Sequence, residues 1–199
     1  MDKGKYHHGF LKKDLIEKGL QLLNSAGLEA FSLRKVADMC GVSHAAPYRH
    51  FKNKEELINA ITMSVSDEFT SSINNALSKN EGDYYKQIVE VSKLYVKFMA
   101  ENPEHFKFIF MTDHHDPIVI KNADFVQTDK WIVSIFKKLF MGLRQNKGAD
   151  EYSWSIDALT VWSLIHGLTT LLVNNTIAYE GDYLEAVSAM LEEKLKIFT

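Results

Sequence analysis

Apolar residues recur along most of the chain at steps of three and four, the spacing of one face of an α-helix. Leu11, Leu15, Ile16, Gly19, Leu22 and Leu23 form the first stripe. It stops at Ala26-Gly27, where glycine can take the left-handed backbone that closes a helix. Ser32 is placed to cap a short second helix, Leu33–Met39, whose Leu33, Val36 and Ala37 share a face. Gly41-Val42-Ser43 breaks the pattern, and a third short helix is expected from about His44 to His50 with Ser43 as its cap. Asn53 followed by Glu56 has the form of a capping box. It opens a long helix, about 54–79, with Ile58, Ile61, Val65, Phe69, Ile73 and Ala76 along one side.

The tripeptide Glu-Gly-Asp occurs at 81–83 and again at 180–182, each time before a tyrosine and an amphipathic run. Glycine ending one helix and aspartate capping the next explains both. Further helices are predicted from Asp83 to about Glu101, from Glu104 to Met111, from Trp131 to Arg144 and from Asp182 to about Ile197. His114-His115-Asp116-Pro117 reads as a loop. Hairpin turns and strict apolar–polar alternation are nearly absent, so the fold class is all-α with about nine helices.

Ala158 to Tyr179 contains no Asp, Glu, Lys or Arg over 22 residues. About 20 predominantly apolar residues suffice to cross a bilayer. Here Thr160, Ser163, His166, Thr169, Thr170, Asn174 and Asn175 interrupt the run. A helix enclosed by protein fits better than a membrane span. A single molecule has few places to enclose one, which points to a subunit interface.

Composition narrows the class further. The chain has 199 residues, 46% of them hydrophobic, which is too apolar for a disordered protein. Its single cysteine, Cys40, excludes an intramolecular disulfide and a cysteine-rich zinc site. The basic start M-D-K-G-K-Y-H-H-G-F has no apolar run behind it, so no signal peptide is expected. Net charge is −3, but residues 1–54 carry +5 and residues 55–199 carry −8. A basic head on an acidic body suggests two jobs, the head facing a polyanion. The expected domains are therefore 1–54 and 55–199, joined by the long helix.

Ser32 to Glu56 carries the chemistry. Two short helices joined by a glycine-containing turn are the helix-turn-helix arrangement, whose second helix enters the DNA major groove. Ala37 and Cys40 are small enough for close helix approach, and Val42 plugs the corner. Pro47 is harmless only in a first helical turn, where amides lack internal partners. Tyr48, Arg49 and His50 then lie together at the exposed end, with Phe51 turning inward. Arg49 can donate two bonds to a guanine, and Ala45 or Ala46 can touch a thymine methyl.

At these residues the chain resembles the TetR family of bacterial transcriptional regulators. The resemblance covers about residues 6–60, and the run from Gly41 to Leu57, G-V-S-x-x-x-x-Y-x-x-F-x-x-K-E-x-L, is highly specific. H-A-A-P-Y-R-H-F and W-S-L-I-H-G, at 162–167, are similar to the subgroup with a W-H-G C-terminal domain. Phe10 departs from that subgroup, which often has aspartate after H-H-G. The resemblance implies a cytoplasmic bacterial homodimer, with recognition helices in successive major grooves of a palindromic double-stranded operator. Ser32, Tyr48 and Lys54 match positions that hold phosphates, while His44, Ala45, Ala46 and Arg49 match positions facing base edges. Arg34 serves either purpose, Ser43 opens the recognition segment toward phosphate, and His50 stands at its far end. Lys3, Lys5, His7 and His8 form an arm suited to backbone or minor-groove contact.

The same resemblance implies a small-molecule effector, of unidentified nature, in a C-terminal domain that also dimerises. Repression relieved by that effector is the family default. Candidate lining residues are Phe98, Phe106, Phe110, Trp131, Trp162 and His166. Trp162 and His166 are four apart and so share a helical face. Ile156–Val173 and the last helix are the expected dimer interface, pairing into a four-helix bundle. No cofactor, metal or membrane partner is expected. Of the alternatives, an all-helical protein-interaction adaptor would have to keep the basic head without using it. A histidine-dependent metal enzyme lacks the His/Glu or Cys/His spacing that zinc requires.

Overall fold

The fold is a computed structural model, which describes residues 8–111, 119–121, 124–125, 131–145 and 151–195. The arm residues Lys3, Lys5 and His7, and the loop His114-His115-Asp116-Pro117, lie outside the described residues, as does the side chain of His8. Eight α-helices dominate: α1 (His8–Ala26), α2 (Leu33–Met39), α3 (Lys54–Lys79), α4 (Tyr84–Glu101), α5 (Pro103–Phe110), α6 (Trp131–Gln145), α7 (Glu151–Val173) and α8 (Tyr183–Leu195). The third short helix of the sequence reading is instead a single 3-10 turn, Pro47–Arg49. Proline supplies no amide to an earlier carbonyl, so the helical turn starts at Pro47 itself. A two-residue antiparallel pair, β1 (Ile120–Lys121) with β2 (Asp124–Phe125), is the exception to helix among the described residues.

The chain divides into two compact units, the described parts of Met1–Asp67 with Glu104–His115 and of Glu68–Pro103 with Asp116–Thr199. The boundary that charge suggested at residue 54 falls at the start of α3, whereas the units part within that helix. In the first unit, Leu15, Leu23, Phe31, Val36, Ala37, Phe51, Leu57 and Ile61 are buried. Phe10 stands 67% exposed in the first turns of α1.

In the second unit α4 is the central helix, packed by α6, α7 and α8. Its inward face is Ile88, Val91, Tyr95 and Met99, all fully buried. Asp83 caps α4 by accepting the Lys86 amide at 3.0 Å, and that hydrogen bond holds its carboxyl below the usual range. Asp182 likewise accepts the Leu184 amide at 2.8 Å. Both aspartates thus cap the helix that follows, as predicted, but α3 already ends at Lys79 and α7 at Val173, so Gly181, eight residues further on, does not close a helix. Gly142 sits where α6 meets Tyr84 so closely that a β-carbon would collide with the ring.

α7 is apolar on nearly every side, yet only about a third of its Trp154–Val173 window is buried within the chain. Ile156 and Leu171 are each at least 40% exposed. The helix ends at Val173, six residues before Tyr179, and Asn175 follows in a left-handed conformation (φ 51°).

Candidate nucleic-acid interface

The predicted DNA-facing residues all belong to the first unit, and local hydrogen bonding fixes their backbone. Ser32 caps α2, its hydroxyl accepting the Lys35 amide at 3.3 Å. Gly41 takes φ +67°, a backbone that residues bearing a β-carbon rarely adopt, and the chain reverses there. The Val42 amide returns to the Ala37 carbonyl at 3.0 Å, closing the end of α2. Ser43 does not cap a helix as expected: its backbone carbonyl, rather than its hydroxyl, accepts the Ala46 amide at 2.9 Å. The segment from Ser43 to Ala46 is a turn ahead of Pro47, and the 3-10 turn that follows has Ala46 at its cap position with no side-chain capping bond.

Pro47 and Phe51 are buried and pin both ends of the 3-10 turn. Between them Tyr48 is 54% exposed and Arg49 is exposed, while His50 is half-buried with its ring 6.4 Å from Phe51. Arg34, Ser43, His44 and Ala45 are also exposed, and Ala46 is half-buried. The arrangement holds one aromatic, one guanidinium and two methyl groups on a short rigid ridge.

Ser32, Tyr48 and Lys54, separated by up to 22 positions, line one depression of about 300 Å³ together with Leu33, Lys52, Asn53 and Glu55. Its floor is organised by the start of α3. The Glu56 amide donates to Asn53 Oδ1 at 2.9 Å, and Glu56 Oε2 accepts the Lys52 amide at 2.6 Å. This is the predicted capping box shifted by one residue on its return bond. Helix α3 therefore points the positive end of its dipole into the depression, beside two lysine ammonium groups and two hydroxyls. Such a set suits a phosphate, although the Glu55 carboxylate in the wall leaves it mixed in charge.

Two basic side chains are committed elsewhere. Lys35 donates to the Ala30 carbonyl at 2.9 Å, and Lys12 lies 5.9 Å from the centre of the Phe51 ring. The sequence reading missed the Asp38 carboxylate, which meets His44 Nε2 at 2.8 Å across the turn. It also missed Lys52 and Glu55 in the depression. Lys52 had a visible signal, a second lysine two residues from Lys54.

The candidate effector residues fall in both units. Phe106 is buried and Phe110 half-buried in the first, with ring centres 5.2 Å apart. Phe98, Trp162 and His166 belong to the second, and Trp131 begins α6 with its side chain outside the description. Phe98 meets Phe69 edge-on at 5.1 Å. Trp162 and His166 lie 5.7 Å apart, as their spacing predicted. His166 Nδ1 is 2.8 Å from the hydroxyl of fully buried Tyr95, and burial holds the imidazole below its ordinary range. Burial also pushes the Tyr95 hydroxyl far up, so it stays protonated, and the direction of its bond to Nδ1 follows the tautomer of the imidazole.

Comparison with known proteins assigns this architecture to a class. Residues 15–61 match the model for bacterial regulatory proteins of the tetR family, and residues 88–193 match the tetracyclin repressor-like C-terminal domain. The chain belongs to the tetR family. Among curated relatives, an uncharacterised HTH-type transcriptional regulator of Bacillus subtilis, YvkB, is 27% identical over 56% of this chain and 54% of its own length. The tetracycline repressor protein class C of Escherichia coli is 40% identical over 25% of this chain and 23% of its own. The chain thus spans about half or less of these relatives. A TetR-like transcriptional regulator from Rhodococcus sp. RHA1 shares the fold at TM-score 0.68 and 13% identity, covering 91% of each chain. A protein of unknown function from the same organism does so at TM-score 0.69 and 22% identity, covering 96% of each.

Proposed function

We propose that this chain binds double-stranded operator DNA as a homodimer and represses transcription until a small-molecule effector occupies its second unit. On this reading no residue carries a catalytic step, and the protein acts in the bacterial cytoplasm. The observation that carries it is the convergence of Ser32, Tyr48 and Lys54 on one depression, beside the exposed Arg49. Phosphate contacts from the depression set the register, and Arg49, His44, Ala45 and Ala46 read base edges.

The exposed, uncharged side of α7, made of Ile156, Thr160, Ser163, Gly167 and Leu171, supports the homodimer. A second copy packing α7 and α8 on their equivalents covers Ile156 and Leu171, which single chains leave in water. In that dimer the +5 head is doubled, while the −8 body is repelled by the polyanion. The effector acts by population shift: it favours a tilt of α3 that changes the separation of the two recognition segments, in proportion to its differential affinity for the two states.

Salt-titrated binding to the upstream DNA of the chain's own gene tests the reading. Affinity should fall linearly on a logarithmic salt scale, as counterion release requires. Salt-independent binding, or no binding at low salt, contradicts it.

A further inference from the structure

Within the second unit, a cleft of about 560 Å³ opens between the last turns of α3, the turn into α4 and the face of α6. None of the six aromatic and histidine candidates lines it. Its volume lies within the roughly 300–1,000 Å³ of small-molecule sites. Leu77 and Ile135 supply apolar walls, and the Tyr84 ring supplies an aromatic one. That ring is held in place by its close approach to Gly142, so the wall is formed before any ligand arrives.

Six polar side chains line the same space, and Gln87, Lys138 and Glu81 among them can orient a charged ligand. Gln87 is more than nine-tenths buried, and its amide nitrogen donates to the Leu77 carbonyl at 2.9 Å. That bond fixes the orientation of the amide, leaving its oxygen as an acceptor on the cleft wall. Lys138 on α6 and Glu81 in the α3–α4 turn are exposed, and neither forms an ion pair among the described residues. Opposite charges that share a cleft without pairing complement a molecule carrying both signs.

We infer that this cleft binds a small zwitterion with an aromatic body, its anionic group toward Lys138, its ammonium toward Glu81 and Gln87, and its ring against Tyr84. The site deepens the effector reading by naming a place and a ligand class, and it rests on that reading only in calling the occupant an effector.

Calorimetric titration of the full chain with L-tryptophan, indole-3-propionate and tryptamine separates the contributions. L-Tryptophan should bind saturably, one per chain, and tighter than either singly charged analogue. Lys138→Gln should weaken L-tryptophan and indole-3-propionate about tenfold and leave tryptamine unchanged, whereas Glu81→Gln should weaken L-tryptophan and tryptamine about tenfold and leave indole-3-propionate unchanged. Both side chains are exposed, so unchanged thermal unfolding is expected of both variants. The proposal is overturned if no probe binds saturably at millimolar concentration, if one singly charged analogue alone binds, or if both variants bind L-tryptophan as the parent does. These titrations contain no DNA, so their failure counts against the cleft, and failure of the salt titration counts against the regulator.

Discussion

Arg49 and Lys54 are both exposed cations within a few residues of each other, yet their surroundings differ, and so do the tasks proposed for them. Arg49 projects from a 3-10 turn pinned by Pro47 and Phe51, and has the planar fork that matches a guanine edge. Arg49→Ala should cost about 1–3 kcal/mol of operator binding and relax preference at one base pair, read by binding-site selection. Unchanged preference would remove Arg49 from the base-reading set. Lys54 stands in the depression at the start of α3, so Lys54→Ala should weaken all sequences alike and make the salt slope shallower by about one. An unaltered slope would remove it from the phosphate set. Ser32, Tyr48 and Lys54 were legible because they stand at fixed offsets within one motif. The Asp38–His44 contact was not, since two exposed polar residues six apart leave no periodic trace.

Elements were most legible where a strong apolar stripe met a cap. The start of α3 at Asn53, the start of α4 at Asp83 and the end of α2 before Gly41 all follow from residues whose chemistry dictates a local geometry. Partners distant in sequence left no such mark. Tyr95 and His166 are 71 positions apart, and Arg144 reaches Asp157 from α6 to α7 through its Nε at 2.6 Å. Burial pushes the Asp157 carboxyl up while Arg144 opposes it, so the guanidinium is what keeps the buried carboxylate tolerable. Arg144→Ala should therefore destabilise the second unit by about 3 kcal/mol in urea unfolding, with the double variant Arg144→Ala/Asp157→Ala recovering part of the loss. A loss below about 0.5 kcal/mol would mean the pair acts as an exposed one. His166 makes a second case. The folded chain disfavours its protonation, so the unfolded chain takes up the proton first as pH falls below about 6.5. Stability is thus full above that pH and declines as pH drops toward the lowered folded value. His166→Gln should flatten the decline in urea unfolding followed from about pH 7.5 to 5, and an unchanged slope would locate the titration elsewhere.

For the molecule as a whole, the net charge of −3 conceals its most informative property, a basic head on an acidic body. The charge division at residue 54 marks the end of the motif, while the compact units part within α3, because a continuous helix carries residues of both cores. The apolar run in α7 was visible from its lack of charge, but which of its sides packs within the chain was not, since a helix apolar all round has no directional pattern. Glutamate placed at Leu171, exposed in the single chain, should shift sedimentation from dimer to monomer without loss of helix, and an unchanged dimer would put the interface elsewhere. On the proposed reading, two copies present Arg49 and its neighbours to one duplex. Selection of binding sites from random double-stranded DNA by the purified protein tests it most directly. Enrichment is expected of an inverted repeat whose half-sites are centred about 10–10.5 base pairs, or a multiple, apart. Recovery of unenriched sequence, or of a single unrepeated site bound by a monomer, would contradict it.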